Sequence, residues 1–418
     1  MTMVAERVPD EPFVAWAKRE WLLVAITTGI ALDWLPWVAT PFVPQVGALS
    51  GTRILVLPGL ALACLLRPNW ILRPHQLGVL YLATILATGG LGWAAGTVAT
   101  SRLVTIVVNG FILIYYLQIR SLVSIRRVLA IVFVFSILVP VVQFAARIGI
   151  ISVPMLESLG VDLRLSGTRI FSIFDSTTVG LVPLMIPACL GGLIFLSAPR
   201  RSTLHGILAA GLVTFGITSA LVAQQRSGVF AYAASTVVAI AFYAALQRRQ
   251  LLRIVLVFSL VSGGVAYFTR DFVLPAQQRF SDVEAYEGAS ALRLGGVVTF
   301  ISDLLQNPLR PVPIGHQSLL DRTGVEPHLL ISEAYYEGGA LFLTAIVIIL
   351  VKFAVASIAL AKSPDPQARL VGSILCAFGA GALIQVTLQT ALGLRMVPLM
   401  LGVGIAGRRI LRLQARPA

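Results

Sequence analysis

Charge is what this sequence has least of. Only 12% of its 418 residues are Asp, Glu, Lys or Arg, and 57% are hydrophobic, against roughly 25% charged residues in an ordinary soluble domain. That balance excludes a soluble or disordered chain and leaves a polytopic membrane protein, with room for about twelve spans of roughly 20 residues. Cysteine is scarce as well: Cys64, Cys189 and Cys376 all lie in apolar runs, which argues against a disulfide framework and says nothing of compartment. No His/Cys pair has zinc spacing, no Walker loop is present and no Gly-x-Gly-x-x-Gly follows a strand, so neither a nucleotide nor another cofactor is expected. The stretch PFVPQVGALSGTR after the first span holds neither Asp nor Glu, and a Mg²⁺ or Mn²⁺ site, which wants several oxygen ligands, is not expected there. The first twenty residues lack an apolar core and a small-residue cleavage site, so the first span is expected to serve as an uncleaved anchor.

What is there is a series of apolar runs. They predict spans over Trp21–Thr40, Val46–Leu66, Leu77–Val98, Leu103–Ile119, Val128–Ile148, Thr177–Leu196, Leu204–Ala223, Gly228–Leu246, Leu251–Phe268, Leu341–Leu360, Leu370–Ala391 and Val397–Leu411. The fold class expected is an all-α polytopic membrane protein, one integral domain: spans one to nine over 1–268, an outer loop over 269–328, and spans ten to twelve over 329–418. The formal net charge of +14 could suggest nucleic acid, but its distribution points elsewhere. Connections on one side, holding pairs such as Arg126-Arg127, Arg200-Arg201, Arg248-Arg249 and Arg408-Arg409, carry the whole excess, whereas the other side balances its arginines with acids. Basic loops stay cytoplasmic. The expectation is a bacterial inner membrane protein with both termini inside and no nucleic-acid partner.

Prolines at 58, 140, 183, 187 and 398 are expected to bend spans, and Gly89, Gly90, Gly92 and Gly96 to give the third a smooth packing face. Asp33 and Lys352 are the ionisable residues placed well inside spans, and both can snorkel to an interface. No repeat relates the two halves, which disfavours a secondary transporter. Polar chemistry gathers instead in the loop Thr269–His328 and the segment HLLISEAYYEGGALF after it. Within the loop, Leu294, Val297, Ile301 and Leu304/Leu305 recur at spacings of three and four and predict an amphipathic helix over Leu292–Gln306, lying on the bundle. Asn307-Pro308 should end it, and Pro311, Pro313 and Gly315 should impose an irregular connection to His316.

Two sets of candidates follow. Arg169, Arg226 and Arg293 sit among small or apolar neighbours on the face that needs no arginine for topology. A guanidinium binds phosphate oxygens bidentately and stays charged, which suits a pyrophosphate held at the membrane surface; each alone equally suits a lipid headgroup or a loop acid. Arg164 and Arg279 are secondary candidates on the same face. His328 follows Pro327 and precedes an apolar helix, where a side chain with a pKa of roughly 6.5 can take a proton from a hydroxyl or merely occupy the interface. Glu337, nine residues on, can orient that histidine or act as a helix N-terminal acid. His316, in the proline-rich turn, is the weaker rival.

Taken together these residues resemble the O-antigen ligase and Wzy-type polysaccharide polymerase superfamily. The likeness runs over nearly the whole chain: about twelve spans, a large outer loop between the ninth and tenth, and in order Ser290-Ala291-Leu292-Arg293, the helix to Gln306, Asn307-Pro308-Leu309, Gly315, His328, Glu337 and Gly339. Arg226-Ser227-Gly228 is similar to that family's start of the eighth span, and Gly167-Thr168-Arg169 to its loop before the sixth. Leu329 and Phe342 depart from the pattern, in which a polar residue and a glycine are usual; this weakens the likeness to a ligase and leaves a polymerase or a divergent exopolysaccharide enzyme. The resemblance implies a GT-C-like fold and inverting glycosyl transfer on the outer face from an undecaprenyl-diphosphate-linked oligosaccharide, without metal or nucleotide. Membrane lipids, a flippase and a chain-length regulator are the implied partners. It implies that Arg226 and Arg293, assisted by Arg169, hold the diphosphate, that His328 positions or deprotonates the acceptor, and that Glu337 supports the start of its helix or orients His328. Transfer to a lipid core and transport of a lipid-linked oligosaccharide are the competing expectations.

Overall fold

The computed structural model describes residues 12–32, 55–147, 150, 165–166, 169–170, 226–246, 283–324, 329–388 and 395–414, with isolated positions between 185 and 217 and between 256 and 270. These residues are almost entirely helical. In chain order the helices are α1 (Phe13–Arg19), α2 (Trp21–Leu32), α3 (Leu57–Leu66), α4 (Asn69–Leu72), α5 (Gln76–Thr84), a π-helical turn (Ile85–Gly89) running into α6 (Gly90–Ala94), α7 (Thr100–Leu117), α8 (Leu122–Arg147), α9 (Arg226–Leu246), α10 (Val283–Gln306), α11 (Gly315–Thr323), α12 (Leu330–Ala361), α13 (Pro366–Leu388) and α14 (Met396–Gln414). The one sheet among the described residues is a two-stranded antiparallel pair, β1 (Leu165–Ser166) with β2 (Arg169–Ile170), in which Ser166 faces Arg169.

Four segments among the described residues are long and apolar enough to cross a membrane: Gln76–Ala94, Thr100–Leu117, Leu330–Ala361 and Pro366–Ile384. They coincide with the third, fourth, tenth and eleventh spans expected from the sequence. Helices also cover the fifth, eighth and twelfth. Expected spans one and two are helical over Trp21–Leu32 and Leu57–Leu66, and most of six, seven and nine lies outside the described residues. Along α12, Leu341, Ile348, Val351, Val355 and Ile358 remain exposed at spacings of three, four and seven. In water such a stripe would be a large apolar patch; facing acyl chains it is solvated. The chain has the architecture of an all-α membrane protein.

The bundle is assembled on α12, α13 and α14. α12 packs against α13 and α14, α13 against α9, α14 against α7, and α2 against α8. Small residues permit the closest approaches. Gly402 of α14 lies over the backbone of α7 at Leu113 and Leu117, and a Cβ at Gly372 of α13 would overlap the backbone of Leu360 and Ala361. Buried polar groups link helices too: the Tyr116 hydroxyl meets Thr27 Oγ1 at 2.7 Å, and the Trp16 indole donates to Ser124 Oγ at 3.1 Å beneath the Arg127 guanidinium.

Three expectations are corrected. The loop helix begins at Val283, not Leu292. His316 lies in the first turn of α11 rather than in the proline-rich turn, because the irregular connection ends at Ile314 and Gly315, at φ 76°, starts a new helix. The glycines of the third span divide among roles: Gly92 takes Pro313 and Val98 against it, Gly89 packs near Ile85 and Leu103, Gly90 faces open space, and Gly96 sits at φ 74° in the turn.

Because backbone rather than a flexible side chain opposes Gly372, Gly372→Ala is expected to destabilise the bundle by about 1–3 kcal/mol. Gly295→Ala, at an open position of α10, should leave stability unchanged or raised. Thermal unfolding of the detergent-solubilised protein separates the two.

Candidate functional site

The polar chemistry among the described residues is densest where α12 begins. Glu333 and Glu337 stand one helical turn apart on one face of α12, and both are fully buried. Arg102, in the first turn of α7, reaches both: its Nη2 donates to Glu333 Oε1 at 3.1 Å and its Nε to Glu337 Oε1 at 3.4 Å. Its own side chain is 29% exposed. A buried carboxylate is tolerated only when paired and hydrogen-bonded, so this guanidinium fixes the register of α7 against the head of α12.

Immediately after Glu337 the helix breaks. Gly339 adopts φ 67°, ψ −174°, a conformation essentially restricted to glycine, and a Cβ there would sit 2.9 Å from the Arg310 carbonyl. The backbone groups freed by the break find partners outside the helix. Thr88 Oγ1, from the π-helical turn, donates to the Gly338 carbonyl, and the Ala340 N–H donates to the Arg310 carbonyl at 3.2 Å. The loop therefore docks into the kink. Nearby, Thr97 Oγ1 donates to the Pro313 carbonyl at 2.7 Å, and Gly315 packs directly on the Thr97 carbonyl.

A second network clamps α10 and α11 to the same helix head. Arg322 grips Asp303 bidentately, Nη1 to Oδ1 at 3.0 Å and Nη2 to Oδ2 at 2.6 Å. The Tyr336 hydroxyl donates to Asp303 Oδ2 at 2.5 Å, and the Tyr335 hydroxyl to the carbonyls of Asp303 and Asn307 at 3.0 Å each. Phe300, Tyr335 and Tyr336 pack ring on ring with centroids 5.6 to 6.3 Å apart. Hydrogen bonds from Arg322 hold the Asp303 carboxyl below the usual carboxylate range against its desolvation, and the bond from Tyr336 adds to them.

Of the residues picked out from sequence, Glu337 is at the centre of this region. Arg293 lies on α10 ten residues before Asp303, Arg226 is the first residue of α9, Arg169 is in β2 and His316 is in α11. His328, Arg279 and Arg164 lie outside the described residues. The two departures from the family pattern are packing positions here. Phe342 is buried edge-to-face on Tyr81 with centroids 5.0 Å apart, in the space that the missing side chain of Gly338 leaves, and Leu329 joins the cluster around Phe300. Arg102, Asp303, Arg322, Tyr335 and Tyr336 were not anticipated. Arg102 had a signal, an arginine opening an apolar span on the face whose charges balance; its partners, more than 230 residues away, could not be paired with it from spacing.

Arg102→Ala leaves both buried acids without this cation and is expected to cost about 3 kcal/mol. Arg102→Lys should recover part of that, and Glu333→Gln in the Arg102→Ala background should recover more; chemical unfolding of the purified protein measures each. For the second network the sign follows from a folded-state pKa lower than the unfolded one. The contribution of Asp303 is complete above the ordinary carboxylate range and is lost as pH falls through the depressed value, below about pH 4. Hydrogen exchange of residues 315–323, corrected for intrinsic rate, should therefore rise below pH 4 in the native protein and be raised at every pH in Asp303→Asn.

Neither a protein-family model nor a curated protein sequence matches the chain, so the chemistry of this site is read from its own residues.

Proposed function

We propose that the chain is a glycosyltransferase of the outer face of a bacterial inner membrane, which polymerises a surface polysaccharide from an undecaprenyl-diphosphate-linked saccharide. The observation that supports this reading is the way the loop pattern is put together. Asn307 accepts from Tyr335, Gly315 sits on the Thr97 carbonyl, Gly339 receives the Arg310 carbonyl, and Glu337 lies beside that junction. Four of the residues that carry the resemblance, Asn307, Gly315, Glu337 and Gly339, thus gather where the loop meets the head of α12 and the turn at Thr97. The twelve-span topology, the inward termini and the outward loop belong to the same proposal and rest on the charge asymmetry.

In this reading the acceptor hydroxyl oxygen attacks the anomeric carbon while the bond from that carbon to the diphosphate breaks. The hydroxyl proton passes to His328, the lipid diphosphate leaves, and the anomeric centre inverts. Arg293 and Arg226, assisted by Arg169, neutralise the leaving group in place, an electrostatic role that fixed cations perform well in a site of low dielectric. Glu337, held by Arg102, acts by supporting the head of α12. Ligation to another lipid remains the second outcome of the product analysis below.

The test is a membrane assay with the native lipid-linked repeat unit. Arg293→Ala and His328→Ala are each expected to lose roughly 100-fold or more of product formation, with EDTA without effect on the native protein. Full activity in either variant removes that residue's role, and strong EDTA sensitivity removes the metal-free mechanism. A ladder still attached to undecaprenyl diphosphate identifies a polymerase; transfer to a different lipid identifies a ligase.

A further inference from the structure

We infer that α10 lies in the membrane surface, with Leu294, Val298, Ile301 and Leu305 seated among acyl chains of the leaflet at that end of the bundle. The inference needs only the membrane architecture and stands whether or not the chain transfers a sugar. These four side chains are 64%, 57%, 47% and 76% exposed. At about 100° per residue their spacing confines them to a band roughly 60° wide. The opposite side of the helix is the one that touches protein: Gly296, Phe300 and Asp303 are buried, the last two against Tyr335, Tyr336 and Arg322. Between these faces lie Ser302 and Gln306, hydrogen-bonded to one another at 3.1 Å on the exposed surface. A helix with separate protein, water and apolar faces fits a boundary where three phases meet.

Two features set the depth of α10. Below the break at Gly339, the 22 residues from Ala340 to Ala361 rise about 33 Å, close to the ~30 Å of a bilayer's hydrocarbon core. The head of α12, on whose Tyr335 and Tyr336 α10 rests, therefore stands at the membrane boundary. Independently, Trp93 ends the third span with its indole donating to Thr100 Oγ1 and half its surface exposed, the position and residue type of an interfacial anchor. Its neighbour Gly92 takes Pro313 of the α10–α11 connection against it, so that connection reaches the same level. Leu309 and Val312, 83% and 37% exposed, continue the apolar surface along it. A second copy of the chain is a poorer occupant, because four side chains fall far short of the 20 to 30 residues a side, ~800 Å², of a stable protein interface. Interfacial helices seat such a face ~5–10 Å into the headgroup and acyl boundary.

The experiment uses the full chain with its three cysteines replaced by alanine, in nanodiscs of phosphatidylethanolamine and phosphatidylglycerol. A single nitroxide is attached in turn to Leu294→Cys, Val298→Cys, Ile301→Cys, Leu305→Cys, Ser302→Cys and Gln306→Cys. At the four stripe positions relaxation by oxygen should exceed relaxation by a water-soluble nickel complex roughly threefold, and the order should reverse at Ser302 and Gln306. Nickel access along the stripe equal to that at Ser302 places it in water and overturns the inference. Exclusion of both reagents there, as under a second copy, overturns it as well. Each label is a separate protein, so failure of one to fold leaves the others to decide.

Discussion

Two carboxylates one turn apart on a helix repel each other, and at Glu333 and Glu337 both are buried, so the site depends on the cation that lies between them. Arg102 meets the requirement from another helix, and its placement follows from electrostatics at two scales. The first turn of α7 is a poor place for a lone cation, because the helix dipole is positive there. The two acids reverse that penalty. They also lie near the positive end of α12, where Glu333 occupies the first turn. Two helix N-termini and the Arg102 guanidinium thus meet two carboxylates, and a shift of the first turn of α7 away from the head of α12 would uncover buried charge.

With the head of α12 held in this way, the break at Gly339 becomes useful rather than disruptive. An unbroken helix would keep its carbonyl and amide groups for itself. Here the Gly338 carbonyl accepts from Thr88 and the Ala340 amide donates to Arg310, so the helix offers hydrogen bonds sideways at the depth where the loop arrives. The π-helical turn Ile85–Gly89 supplies one of these partners, the Thr88 hydroxyl, which also reaches the Thr84 carbonyl of its own helix at 2.7 Å.

Much of this was legible in the sequence at the level of elements. Apolar runs located the helices because burial in lipid or protein imposes a continuous pattern, and Asn307-Pro308 marked the end of α10 because a proline cannot continue it. Glu337 drew attention as an acid nine residues after His328, at the start of an apolar helix. The pairing of that acid was not legible: nothing in the spacing of Arg102 says which acid it meets, since the answer lies in how the bundle brings the first turn of α7 beside the head of α12. The Asp303–Arg322 clamp was hidden for the same reason, though only nineteen residues separate its members, because Pro311, Pro313 and Gly315 set a turn whose direction cannot be read from its composition.

The orientation of α10 is the instructive case. Its apolar residues predict an amphipathic helix lying on the bundle, but not which phase each of them meets: Leu294, Ile301 and Leu305 are exposed, whereas Leu304 packs against the cluster around Phe300. Periodicity reports which residues avoid water, and in a membrane protein two phases satisfy that demand. Leucine and valine are accommodated almost equally by lipid or by protein, so they do not choose between them. Asp303 does choose. Its carboxylate needs Arg322 and Tyr336, partners that only the protein side offers, and Phe300 follows it by stacking on Tyr335. On a helix at the membrane boundary it is therefore Asp303 with its partners, not the apolar stripe, that sets which face turns inward.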